Sequence, residues 1–147
     1  MTEKDEFPAC QGAASSYNRL IDIRPYGRRE RSDPVKIVKH QMTLDDLARM
    51  AAAMFGNMVK AVVDTEREVL AVDGELHSDL EALLIEDGSR PRSLWGINLY
   101  PELQGDDFVE FDSMINMRPS QGNKSRGVED ARTREKIIQV VAKRISR

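Results

Sequence analysis

The chain has 147 residues, with 22 Lys and Arg against 25 Asp and Glu, a formal charge of -3 and 40% hydrophobic residues. That length suits one domain and is short for two, and the mildly acidic balance argues against a general nucleic-acid binder while leaving room for local basic patches. The single cysteine, Cys10, excludes an intrachain disulfide, no apolar run approaches a membrane span, and the opening MTEKDEF lacks the basic and apolar regions of a signal peptide, so the expected location is cytoplasmic.

Residues 1–34 are unlike the remainder. They hold QGAASS, RPYGRRER and SDP and only a small apolar cluster at Leu20, Ile21 and Ile23. Such composition buries too little to offset ordering entropy, which predicts a disordered or loosely attached tail. The arginine cluster has the chemistry to meet phosphate, but Glu30 and Asp33 dilute it and favour a solvated charged segment. An alternative is an over-extended gene start, because the folded part begins at Val35-Lys36-Ile37-Val38 and valine can be read from an alternative start codon. A single domain is expected over 35–147.

Val35 to Lys39 reads as a short strand. Thr43 then offers an N-cap with Asp46 three residues on, a capping-box spacing, and Leu44, Leu47, Ala51, Met54 and Met58 form one apolar helical face that ends near Gly56-Asn57. Two β-branched runs follow, Met58–Asp64 and Glu68–Asp73, joined by a short polar turn as in a hairpin. Leu80–Glu86, LEALLIE, fits helix or strand by periodicity; Asp87-Gly88-Ser89 cuts it short, which favours a strand. Leu94–Tyr100 places Trp95, Ile97 and Leu99 on one face, a core pattern. From Phe108 to Met117 the residues alternate, Val109, Phe111, Ile115 and Met117 against Glu110, Asp112 and Asn116, until Pro119 ends the run. Asp130 caps a last helix whose face is Ile137, Ile138, Val141 and Ile145. Consecutive strands with a helix at each end predict an α+β fold: an antiparallel meander of about five strands, flanked by an N-terminal and a C-terminal helix packed on one face.

Two constellations could carry chemistry. If Glu75-Leu76-His77-Ser78-Asp79-Leu80-Glu81 is extended, Glu75, His77, Asp79 and Glu81 share one face, where imidazole and carboxylates could act as an acid–base set or hold a divalent metal. The competing expectation is a solvated outer face. The second is the polar loop after Arg118, in which Arg118, Lys124 and Arg126 could grip a phosphate or carboxylate, with Ser120 and Asn123 as further donors. It lacks P-loop spacing, and a purely structural turn around Pro119 and Gly122 explains it as well. Glu110, Asp112 and Asn116 could sit beside the first constellation or face another subunit.

Three blocks, GELHSDLEALLIEDGS, LWGINLYP and EFDSMINMRPSQGNKSRGVED followed by a helix containing REKI, resemble a small bacterial family known only as a conserved domain of unknown function. The resemblance runs from Val35 to the end, which implies the domain boundary and leaves the activity and any cofactor open. The expected functions are therefore three. The leading one is a small binding module that takes an anionic ligand, or an anionic group of a protein partner, through the Arg118–Arg126 loop. The second is a hydrolase-like or metal-dependent enzyme built on His77, which requires His77 and the basic loop to share one cleft. The third is a homo-oligomerisation module that uses an exposed sheet edge.

Overall fold

The structure, a computed structural model, describes residues 36–147. The tail expected over 1–34, with its arginine cluster, lies outside the described residues. The order of elements is β1 (Lys36–Val38), β2 (Met42–Thr43), α1 (Leu44–Ala53), β3 (Val59–Asp64), β4 (Val69–Val72), α2 (His77–Glu86), β5 (Leu94–Leu99), β6 (Val109–Glu110), α3 (Ala131–Arg144) and β7 (Ile145–Ser146). Five strands form one antiparallel sheet in the order β1-β4-β3-β5-β6, and the class is α+β as the sequence predicts. Among the described residues no helix is long and apolar enough to cross a membrane.

The capping signals act as written. Thr43 Oγ1 accepts from the Asp46 amide at 3.1 Å and the Thr43 amide donates to Asp46 Oδ2 at 3.3 Å, closing a capping box at the start of α1. Asp130 Oδ2 accepts from the Thr133 amide at 2.8 Å at the start of α3. Both terminal helices cover the same face of the sheet. Leu47, Met50, Ile137, Val140 and Val141 pack there against Ala61, Val63, Leu70, Val72, Trp95 and Ile97. After α3 the chain extends for two residues, and β7 pairs in parallel with β2, Met42 opposite Ile145.

The strand expected at Leu80–Glu86 is instead the second half of α2. Two physical reasons favour the helix. Leu, Glu and Ala are good helix formers, and Glu and Ala are depleted in strands. More decisively, β3 and β4 are apolar on both faces: Val62, Val69 and Ala71, with Leu94 of β5, point away from α1 and α3 and need their own cover. Leu80 and Leu84, one turn apart on α2 and fully buried, supply it, each contributing about 1.5–3 kcal/mol of burial. The connection also demands length. β4 and β5 both run antiparallel to β3, hence parallel to each other, and such strands need a crossover rather than a tight turn.

The long strand expected over Phe108–Met117 is likewise shortened. Pairing with β5 lasts only through Val109 and Glu110. Beyond them the chain leaves the sheet edge and crosses the α2 face of β5 at Gly96, where a Cβ would stand 2.5 Å from both Ser113 Cβ and Oγ. A short helical turn at Met114–Asn116 follows. Asn116 then substitutes for the missing strand: its Oδ1 accepts from the Gly96 amide at 2.8 Å and its Nδ2 donates to the Gly96 carbonyl at 2.9 Å.

Candidate functional site

Polar residues on the α2 face of the sheet gather where α2 has not yet begun. The register aligns Lys60 of β3 with Asn98 of β5, and Asn98 with Glu110 of β6, so the three form a row across neighbouring strands. In β3 and β5 the residues two positions away on that face are Val62 and Gly96, which lie beneath α2 and the 113–116 segment. Where the cover stops, a cleft of about 460 Å³ opens. Its floor is Lys60, Asn98 and Tyr100, its walls are His77 from α2 with Glu110, Asp112 and Ser113, and Arg126 closes one side. Met58, Leu76 and Met114 give it apolar lips; Leu76 is 54% and Met114 64% exposed.

His77 is the first residue of α2, and Leu76 is its N-cap. The ring is buried and its Nε2 lies 2.8 Å from the Ile97 carbonyl. A carbonyl only accepts, so Nε2 carries the proton and the neutral ring keeps its lone pair on Nδ1. Burial pushes the imidazole pKa below its ordinary value. The Ile97 carbonyl opposes that effect, Lys60 adds to it, and Asp112 and Asn98 oppose it more weakly. The helix N-terminus disfavours a cation in the same sense.

Around the ring the donors are already committed. Asn98 Nδ2 donates to Glu110 Oε1 at 3.0 Å and to the Asp112 carbonyl at 3.4 Å. Tyr100 Oη donates to the same Glu110 Oε1 at 2.7 Å, and that bond raises the phenol pKa and keeps its proton in place. Arg126 Nε donates to Asp112 Oδ1 at 2.7 Å, while its terminal amino groups make no hydrogen bond among the described residues. Lys60 Nζ stands 5.4 Å from the centre of the Phe55 ring.

The structure divides the sequence-predicted residues differently from their grouping in the chain. Because residues 77–86 are helical, Glu75, His77, Asp79 and Glu81 do not share one extended face. Glu75 and Asp79 are exposed and line no part of the cleft, and Glu81 turns toward Arg118, its Oε2 at 3.7 Å from Nη2. Arg118 is not an open anion grip. Its side chain is only 12% exposed, stacks over Trp95 with the guanidinium carbon 4.7 Å from the ring centre, and donates to the carbonyls of Ile115 and Leu94.

Asn123 is buried and structural too. Its Nδ2 donates to the carbonyls of Asn116, Ser125 and Gly127, and its Oδ1 accepts from the Glu129 amide at 2.8 Å. It closes a turn between Arg118 and Asn123 with Gly122 at φ +82°. Ser120 and Lys124 are exposed outside the cleft. Only His77 and Arg126 of the two constellations meet, joined by Glu110 and Asp112 from the intervening segment. Asn116 lies buried behind them.

Sequence reasoning missed Lys60, Asn98 and Tyr100. Their signal was a polar residue recurring on one face of an otherwise apolar strand, and it becomes a site only once strand pairing aligns them. Among the described residues no group of three or more His, Cys, Asp or Glu side chains is arranged to hold a metal ion, so the carboxylate-rich metal site anticipated around His77 has no supporting geometry.

No curated protein and no solved structure matches the chain at a significant level. Residues 36–144 match the family described as Protein of unknown function (DUF5674), with a boundary that falls at the start of β1. The match spans the sheet, all three helices and every residue of the cleft, and the chain belongs to this family of unknown function.

Proposed function

We propose that this domain is a small-molecule binding module whose site is the cleft between the start of α2 and strands β3, β5 and β6, and that Arg126 and Lys60 take an anionic group of the ligand. One observation carries the reading: a guanidinium whose terminal amino groups are uncommitted among the described residues and a lysine line the same apolar-lipped cavity as a buried neutral imidazole. The cavity is of the size that holds a small ligand. Asp112 is already balanced by Arg126, and Glu110 is stabilised by two neutral donors, so the two carboxylates of the cleft are not left facing an incoming anion unscreened. The ligand-binding role expected of the basic loop thus moves from Arg118, Ser120, Asn123 and Lys124 to Arg126 alone, with Lys60 as its second cation.

The test is a thermal-shift titration of the full chain with inorganic phosphate and with small mono- and dicarboxylates. A ligand at about one hundred times its dissociation constant adds roughly 2.7 kcal/mol, several degrees for a domain of this size. The shift should disappear in Arg126→Ala and persist in Lys124→Ala. A shift that follows Lys124 instead would move the site to the exposed loop.

A second reading follows from the free lone pair on His77: the ring would accept a proton from the bound molecule, making the module an enzyme. In that case His77→Gln loses turnover by far more than it weakens binding, and equal loss of both refutes it.

A further inference from the structure

We infer that the ligand of this cleft presents an N–H₂ group, a primary ammonium or primary amide, to an acceptor pair formed by Asn98 Oδ1 and His77 Nδ1, so that together with the anion grip the site fits a small zwitterion of the amino-acid class. The inference rests on the cleft reading above and deepens it.

The orientation of Asn98 leaves no freedom in the assignment. Its amide nitrogen faces Glu110 Oε1 and the Asp112 carbonyl, both of which can only accept, so the oxygen must occupy the other position. That oxygen is buried and makes no well-formed hydrogen bond among the described residues, on a residue 6% exposed that lines the cleft. A buried acceptor left without a donor costs stability, and a donor that arrives with a ligand would recover it.

The neighbouring imidazole repeats the pattern. The Ile97 carbonyl holds Nε2–H, so the nitrogen left for a ligand accepts and does not donate. Ile97 and Asn98 are consecutive in β5, so the carbonyl that anchors the His77 ring belongs to the residue next to Asn98, and the His77 and Asn98 side chains both line the cleft. The remaining floor donors, Asn98 Nδ2 and Tyr100 Oη, are spent on Glu110. A ligand that only accepts would find no free donor on the floor except Lys60. One that donates through nitrogen finds two acceptors, with the Glu110 and Asp112 carboxylates close by to favour a positive charge. Arg126 and Lys60 then take the carboxylate, and Met58, Leu76 and Met114 contact the aliphatic remainder.

The experiment compares three matched series on the full chain by isothermal titration: free α-amino acids, the 2-oxo acids with the same side chains, and the corresponding primary amines without a carboxylate. The expected result is binding of one or more amino acids, weakened at least tenfold in the 2-oxo acid. The ¹⁵N resonance of His77 Nδ1 should move on addition of the amino acid, as a lone pair does on accepting a hydrogen bond, and not on addition of the oxo acid. Asn98→Leu should narrow the amino-acid preference toward unity. The His77 resonance in the unmutated protein keeps the test decisive if that variant misfolds.

Equal or tighter binding of the oxo acids overturns the donor inference and leaves the anion cleft standing. Binding of the amines as tightly as the amino acids upholds the donor inference and overturns the anion grip. Absence of binding in all three series overturns both.

Discussion

Gly96→Ala tests the joint on which both the sheet edge and the cleft wall depend. An added Cβ would lie 2.5 Å from Ser113 Cβ, 2.5 Å from Ser113 Oγ and 3.2 Å from Ile115 Cγ1. Carbon atoms pack at about 3.5–4.0 Å, so Ser113 must retreat by roughly 1 Å or more. Overpacking of this kind costs about 1–3 kcal/mol. The retreat also loosens the paired Asn116 bonds to the Gly96 amide and carbonyl, each worth about 0.5–1.5 kcal/mol. The expected loss is therefore about 2–5 kcal/mol, read as a lowered urea midpoint with an unchanged slope.

Ser113→Gly removes both atoms of the closest contact. By itself it loses the Ser113 cap on the Ile115 amide and costs about 1 kcal/mol. In the Gly96→Ala background it should instead recover about 1–3 kcal/mol, and only the milder Ile115 contact remains. Additive effects, with a coupling below about 0.5 kcal/mol, would refute the claim that the 113–116 crossing is held by close approach at Gly96.

Three further outcomes follow from the same contacts. Arg118→Lys should destabilise the domain by about 2–4 kcal/mol in chemical denaturation while leaving ligand binding in the folded protein intact, because a lysine cannot reproduce the stack on Trp95 together with two carbonyl bonds; a neutral substitution would return Arg118 to the candidate binding residues. The His77 imidazole has a folded pKa below its ordinary value of 6.5, so its contribution to stability is complete above that value and falls away as pH drops through the lowered one. Wild type should accordingly lose more stability than His77→Gln between about pH 7 and pH 5, and parallel pH profiles would show that the ring is not buried neutral. Glu68, bridged by Lys136 and Lys143 at 2.6 Å each, has its carboxyl lowered to about 2, so its contribution is complete above the ordinary 4.5 and disappears toward pH 2; acid unfolding of Glu68→Gln should lack that component, and an unchanged acid limb would mean that the exposed bridges are screened out.

Much of the fold is legible in local patterns because those patterns act locally. Thr43 and Asp46, three residues apart, satisfy each other across one helical turn, and Asp130 does the same for Thr133. Alternation in Leu94–Tyr100 correctly puts Trp95, Ile97 and Leu99 against the terminal helices. The two misread elements failed for a common reason. LEALLIE is compatible with either state in isolation, and the burial of Leu80 and Leu84 against Val62, Ala71 and Leu94 decides for the helix. The information was present elsewhere, in the apolar character of β3 and β4 on both faces. The alternation from Phe108 onward is equally real, yet Ser113 fits over a glycine and Asn116 bonds that glycine's backbone, so the chain crosses β5 rather than pairing beyond Glu110.

The candidate site divides along the same line. His77 and Arg126 could be singled out from residue type alone, since an imidazole among carboxylates and an arginine in a polar loop are chemically conspicuous. That Arg118 and Asn123 serve the architecture could not, because their partners are backbone carbonyls and a ring brought near only by folding. Nor could Lys60, Asn98 and Glu110 be joined, because residues 60, 98 and 110 become neighbours only through the register of three strands. By itself the sequence determined the helix caps, the β-rich centre and the family, all properties of contiguous residues. The tertiary structure alone decided which faces needed cover, and where that cover ran out it brought Lys60, His77, Asn98 and Arg126 to the lining of one cavity.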